Sequence, residues 1–275
     1  MDKKVILLTG ASSGLGKSTA DYLTKKGYIV LGTSRTAAHP DEIRIDANTS
    51  FPLMIKMDVT SEQSISQVIS FIQKKFGRID ILINNAGWGI SGPIEKTSID
   101  VTKSLFEINV FGMLRVTQQV LPLMRTQNQG LIINISSIGG VIGLPFQGLY
   151  SASKFAVEGI SESLRMEVSQ FGIKVVLVEP GDFKTSFTNN RKKICSSSST
   201  YAQLLKRTTT VFEHDEQNGC DPILLAFKIE KIIRSSHPKV RYRIGSFSQK
   251  LVARIKGFIS DKIVQWILMK YYKVK

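Results

Sequence analysis

TGASSGLGK, residues 9–17, ends a short apolar run, VILLTG (5–10), and opens a stretch of helical spacing that reaches about residue 26. A glycine-rich turn between a buried strand and a helix exposes backbone N–H groups, and a helix N-terminus is a natural seat for phosphate. Two ligand readings fit. Ala11, Gly16, Lys17 and Ser18 satisfy a relaxed P-loop, with alanine where the stricter pattern has glycine. That would make the chain a nucleotide hydrolase or kinase. Gly10, Gly14 and Gly16 instead give G-x-x-x-G-x-G, a spaced variant of the dinucleotide turn, in which backbone approaches a pyrophosphate. A structural turn with no ligand is the third reading.

The flanking segments choose between them. Phosphoryl transfer needs a magnesium-binding aspartate just after a buried strand. The fourth apolar strand, IDILINN (79–85), runs instead into the uncharged NNAG (84–87). Asp58, ending LMIKMD (53–58), could take that role but equally suits a hydrogen bond to an adenine amino group. The dinucleotide reading is preferred. Further strands are expected at YIVLGTS (28–34), LIINIS (131–136), KVVLVEP (174–180) and VRYRIG (240–245), with helices over 62–76, 99–126 and 151–170. Strands that are apolar throughout, alternating with helices, predict a parallel sheet covered on both faces. That is doubly wound α/β architecture, with ligands at the carboxyl ends of the strands. The domain is expected to span 1–245, with a polar, mobile substrate loop of broken helix at 184–220 that contains CSSSST (195–200). Residues 246–275 are expected to form a basic, amphipathic helical tail.

The chain has 275 residues, 42% hydrophobic, enough for one large core. Cys195 and Cys220 are the only cysteines, which supplies no disulfide framework and no metal-ligand pair. The opening MDKKVILLTG is too short in apolar residues for a signal peptide, and the run WILM (266–269) is far below a membrane span. A cytoplasmic protein is expected, peripheral to a membrane if the tail adsorbs there. Net charge is +15, and residues 184–275 hold 19 Lys/Arg against 6 Asp/Glu, so the excess belongs to the last third. No recognition motif accompanies it, and nucleic acid is not expected as a partner.

With these elements in place, the chain resembles the short-chain dehydrogenase/reductase family over about residues 4–245. The Gly10/Gly14/Gly16 loop, the Asn84–Asn85–Ala86–Gly87 turn, Asn109, the Ser137/Tyr150/Lys154 set and the Pro180–Gly181 turn occur in the family's order and spacing. The stretch 136–159 is most similar to the branch containing estradiol 17β-dehydrogenase type 1 and photoreceptor retinol dehydrogenase. The resemblance implies a seven-stranded Rossmann sheet and hydride transfer between a nicotinamide cofactor and a carbonyl or alcohol. Cofactor contacts are implied from the loop, with Ser12, Ser13 and Leu15, from Asn85, Ala86 and Gly87, and from Tyr150 and Lys154. Pro180, Gly181 and Thr185 would line the nicotinamide end. Asn109 would help hold a water in a proton relay to Lys154, or be an ordinary helix asparagine. A homodimer or homotetramer is expected.

YSASK (150–154) sets a phenol and an ammonium four apart on one helix face. A cation about 4 Å away favours phenolate by about 4 kcal/mol at an effective dielectric of about 20. This predicts a tyrosine acidified by up to about three pH units, able to exchange protons with a ketone or alcohol. Ser137, just past the fifth strand, can hydrogen-bond the substrate oxygen; its neighbour Ser136 is expected to point into the sheet. GTSR (32–35) ends the second strand with no acidic residue for a ribose diol. Arg35, supported by Ser12 and Ser13, suits a 2′-phosphate, so NADP(H) is expected over NAD(H). The apolar loop 141–146 suits a lipophilic alcohol or ketone as substrate. Asp182 has no assigned role. The tail (247–273) would either lie on an anionic membrane or pack beside the substrate mouth. A catalytically silent NADP(H) sensor is the alternative function.

Overall fold

The computed structural model describes residues 3–43, 51–194 and 200–275; Cys195 and the serines that follow it lie outside the described residues. The strands are β1 (Val5–Thr9), β2 (Ile29–Ser34), β3 (Leu53–Lys56), β4 (Ile81–Asn84), β5 (Ile90–Ser91), β6 (Gly130–Ile135), β7 (Ile173–Pro180), β8 (Lys192–Lys193) and β9 (Arg241–Ile244). Seven of them pair in parallel in the order β3-β2-β1-β4-β6-β7-β9. The short β5 and β8 pair separately, a ribbon without a sequence signal.

Alternation explains why these strands are apolar throughout. Leu7, Leu82, Ile132 and Val175 face one core, closed by α2 (Glu62–Phe76) and α4 (Met113–Thr126). Ile6, Leu8, Ile81, Ile83, Ile133 and Val176 face the other, closed by α1 (Gly14–Lys25) and α8 (Ile223–Arg234). With both faces covered, a polar side chain at any of these positions loses about 1.5–3 kcal/mol of apolar burial. The buried amides Asn84 and Asn134 are paired inside. Asn84 Nδ2 donates to Thr117 Oγ1 (3.0 Å) and Asn134 Oδ1 (2.9 Å), and Asn134 Nδ2 donates to Ser161 Oγ (2.8 Å). These bonds tie β4 and β6 to α4 and to α5 (Gly148–Glu167), the helix that carries Tyr150 and Lys154.

Two expectations need correction. The segment 99–126 is not one regular helix: α3 (Ile99–Phe106) and α4 are joined by a π turn, Glu107–Gly112, which carries Asn109. Such turns insert a residue and re-aim side chains, commonly at functional sites. The described residues of 184–220 are also more regular than their polarity suggests. They hold α6 (Phe187–Asn190), β8 and a 16-residue α7 (Ala202–Gln217). Leu205, Thr208 and Phe212 of α7 are buried while its other face meets water, so its average composition resembles a loop.

The tail packs on the domain. It forms α9 (Phe247–Ile255) and α10 (Asp261–Tyr271), and Val252, Ala253 and Leu268 cluster with Ile138, Ile142 and Leu144. Lys256 Nζ donates to Val141 O (2.7 Å), and Thr208 Oγ1 donates to Tyr272 O (3.1 Å). Packing beside the cavity mouth is therefore the geometry adopted by one face. The other leaves Phe247, Phe258 and Trp266 exposed at 77%, 88% and 58%. No helix among the described residues is long and apolar enough to cross a membrane.

Candidate active site

A cavity of about 800 Å³ opens beyond the carboxyl ends of the sheet, where strand order reverses between β1 and β4. Gly10, Gly14 and Gly16 line it, with Ser12, Ser13 and Leu15. Gly10 has φ +69°, and a Cβ there would lie 2.8 Å from Ala86 Cα. A Cβ on Gly16 would strike the Gly10 carbonyl and come within 2.5 Å of Asn85 Nδ2. Backbone alone fits this cradle. Helix α1 starts at its rim with no side-chain cap, so its first N–H groups are left for a ligand. Lys17 pairs outward with Asp21 at 2.6 Å, which leaves the P-loop pattern without a phosphate-reaching lysine.

Asn85 and Ala86 line the cavity, but their bonds brace it. Asn85 Nδ2 donates to the Thr9 and Gly10 carbonyls (3.0 and 2.9 Å), and both backbone N–H groups donate to Thr9 Oγ1. Arg35 and Asp58, after β2 and β3, stand at the same rim. Arg35 is exposed, while Asp58 Oδ1 is held by Thr60 N–H (2.9 Å) and Thr60 Oγ1 (2.8 Å). Pro180, Gly181 and Thr185 close the far side. A glycine cradle and an uncapped helix terminus make a donor set that suits a dinucleotide, with the Arg35 guanidinium exposed at the rim.

Ser137, Tyr150 and Lys154 share this cavity. Ser137 Oγ accepts from Gly139 N–H (3.0 Å) and is near enough to the Tyr150 phenol to pull its pKa down. Ser136 is buried, and its Oγ has no hydrogen-bond partner among the described residues. Lys154 Nζ donates to the Ile135 carbonyl (2.8 Å) and lies 6.0 Å from the Tyr150 ring centroid. The expected acidification of Tyr150 is therefore not found. Burial pushes the phenol up, and the nearby Glu216 and Asp182 carboxylates add to this, against Ser137 and Arg191, which pull it down. The ammonium is itself desolvated: burial lowers Lys154 to about 8, opposed by Glu158 one turn along α5.

Asn109 stands behind the wall. Its Oδ1 accepts from Trp88 N–H (3.0 Å), and its Nδ2 donates to Trp88 O (3.0 Å) and Ser153 Oγ (3.1 Å). The side chain braces the Gly87–Trp88 loop against α5, so a water-holding role would fall to its main chain. Sequence reasoning missed the opposite wall. Asp182, Arg191, Glu216, Gln249 and Tyr272 come from β7's exit, from the 184–220 segment and from both tail helices. Arg191 pairs with Glu216 and sits over the rings of Phe187 and Phe212 (5.3 and 4.6 Å). Only the isolated buried-length helix pattern around Phe212 could have hinted at this wall; Gln249 and Tyr272 carry no local signal.

Comparison with known proteins now bears on identity. The family model described as short chain dehydrogenase matches residues 4–195. A 3-ketodihydrosphingosine reductase of Bacteroides thetaiotaomicron is 44% identical over 277 residues, covering 100% of both chains. Human retinol dehydrogenase 8 is 39% identical over 190 residues, covering 67% of this chain and 60% of its own. The crystal structure of a short-chain dehydrogenase from Streptomyces avermitilis superposes with TM-score 0.79 at 33% identity, covering 100% of this chain and 97% of that one. Structures with this fold have been solved with NAD or NADP bound. A family model spanning most of the chain and a relative matched end to end leave one assignment: the protein belongs to the short-chain dehydrogenase family of oxidoreductases.

Proposed function

We propose that the protein is an NADPH-dependent reductase that converts a long-chain ketone of the 3-ketosphingoid type to its secondary alcohol. The observation that carries the reading is Tyr150, a buried phenol that shares its cavity with Ser137 and Lys154 and is pushed up from its ordinary pKa, so it retains a transferable proton at neutral pH. That is the state a ketone reduction needs. NADPH is favoured by Arg35 and by the lack of a carboxylate at the end of β2. When bound, the cofactor supplies the hydride. The chain's own groups do the rest. The glycine loop and the α1 terminus hold the pyrophosphate, and Arg35 holds the 2′-phosphate. Ser137 Oγ hydrogen-bonds the ketone oxygen, Tyr150 Oη gives that oxygen its proton, and the Lys154 charge stabilises the phenolate left behind. Asn109 keeps the loop beside Lys154 in place.

The substrate class is supported by the end-to-end relative named for 3-ketodihydrosphingosine and by apolar wall residues Trp88, Leu144, Phe187 and Phe212. A lipid-borne substrate also suits the tail, whose exposed Phe247, Phe258 and Trp266 lie among lysines and arginines. We place the enzyme at the cytoplasmic side of a membrane as a peripheral protein. Exposed Phe111 and Met166 on the α4 and α5 side support self-association as a dimer or tetramer, readable by light scattering. The central test follows NADPH absorbance with 3-ketodihydrosphingosine and with neutral long-chain ketones. Tyr150→Phe should lower turnover at least about a hundredfold while NADPH affinity stays within a few-fold. Turnover within tenfold of wild type in that variant would refute the proton-transfer role; a wild type that binds NADPH but reduces no ketone would favour a silent sensor.

A further inference from the structure

Asp182 follows Pro180–Gly181 at the end of β7 and lines the same cavity as Tyr150. Its backbone is fixed: its carbonyl accepts from Cys220 N–H (3.0 Å), and its own N–H donates to Gln249 Oε1 (3.2 Å). Its carboxylate accepts from the Gln249 amide, a neutral partner. The cation nearest this wall is already taken. Arg191 is paired with Glu216, which also accepts from Thr188 Oγ1 (2.6 Å). Asp215 accepts from Tyr271 Oη (2.8 Å). The charged and titratable groups facing Asp182 are thus Arg191, Asp215 and Glu216, with Tyr150, Tyr271 and Tyr272. Three carboxylates face one guanidinium, among aromatic walls, so this corner lacks positive charge. Asp182 is also close enough to Tyr150 to act on its phenol electrostatically. A cation held at Asp182 would share the cavity with the oxygen that meets Tyr150.

We propose that Asp182 is the specificity-determining residue that receives a substrate ammonium next to the reacting carbonyl, so that the cavity selects an α-amino ketone over its neutral analogue. The proposal rests on the reductase reading and narrows its substrate class. Burial and the neighbouring carboxylates raise Asp182 to about 7, as expected for a carboxylate without a counter-cation; an ammonium supplies one. A hydrogen bond between charged groups in such a site is worth roughly 10- to 100-fold in affinity.

Two experiments separate this proposal from the reductase reading. In the first, kcat/KM is measured for 3-ketodihydrosphingosine and for its desamino ketone, in wild type and Asp182→Asn. Asparagine keeps the pairing with Gln249. The preference for the amino ketone should fall roughly 10- to 100-fold in the variant. Reduction of both ketones with the same preference in both proteins overturns the proposal and leaves the reductase reading standing. The second needs no turnover. A long-chain primary amine and the alcohol of equal length compete for the cavity, monitored through NADPH fluorescence. Wild type should prefer the amine, and that preference should rise as pH passes through about 7, because Asp182 is charged above its pKa and the amine stays protonated. Asp182→Asn should abolish both the preference and its pH dependence. An amine preference that is absent in wild type, flat with pH or retained in the variant overturns the subsite. Loss of amine preference in Asp182→Asn, in a protein that reduces neither ketone, supports the subsite and refutes the reductase reading instead.

Discussion

Replacing Lys154 with methionine should change how stability varies with pH. The lysine is 6% exposed, and its ammonium donates to the Ile135 carbonyl at 2.8 Å. Burial lowers it from 10.5 to about 8. Between those pH values the unfolded chain holds a proton that the folded chain has released, so stability rises with pH across the window. Below about 8 the folded protein carries a buried cation at full cost. At about 1.4 kcal/mol per pH unit the whole window is worth about 3 kcal/mol, of which about 2 kcal/mol falls between pH 8 and 10. Methionine has similar length and no charge, and cannot titrate. Urea unfolding of wild type and Lys154→Met at pH 8 and pH 10, in matched buffers, isolates the lysine because other titrations are common to both. Wild type should gain about 2 kcal/mol on the variant over that interval. Parallel pH dependences, within about 0.5 kcal/mol, would refute the assignment of a desolvated lysine. Glu158→Gln removes the attraction that opposes the shift and should pull Lys154 lower still. The variant without Lys154 is expected to lose activity, so the cation is retained at a cost in stability.

Arg35→Asp should weaken NADPH binding more than NADH binding, because it sets a carboxylate against the 2′-phosphate; a wild type that already prefers NADH overturns the cofactor assignment. Anionic vesicles should co-sediment the wild type at low salt and release it at high salt, since each nearby Lys or Arg contributes about 1 kcal/mol within a Debye length of about 8 Å. Phe258→Ser combined with Trp266→Ser should reduce the bound fraction on the order of tenfold while leaving the fold intact, because both side chains are exposed. Vesicle binding unaffected by the double substitution would count against the membrane face. Truncation after Gly245 is a poor substitute for these changes, because it also removes Gln249 and Tyr272 from the cavity wall.

The sheet was legible in the sequence because every central strand is buried on both faces. Ile6 and Leu7 serve opposite cores, so VILLTG reads as one apolar run with no polar alternation to obscure it. The cofactor cradle was legible for a different reason: Gly10 needs a positive φ and Gly16 has no room for a Cβ, so the backbone geometry is written in residue type. Ser137, Tyr150 and Lys154 were legible through order and spacing, and they do share one cavity. Their protonation was not. An i, i+4 spacing places two side chains on one helix face, but the pKa depends on what desolvates each group and where each hydrogen bond goes. Here Lys154 turns to the Ile135 carbonyl, and burial of Tyr150 outweighs the pull of Ser137 and Arg191 on its phenol. The π turn at Asn109 and the helix Ala202–Gln217 arise from packing that no local pattern records. Gln249 meets Asp182 across 67 residues of chain, and Tyr272 reaches the same cavity from beyond it. Residue type and local spacing determined the sheet, the cradle and the Ser137, Tyr150 and Lys154 set; the opposite cavity wall and the charges inside it exist only once distant segments are brought together and water is excluded from between them.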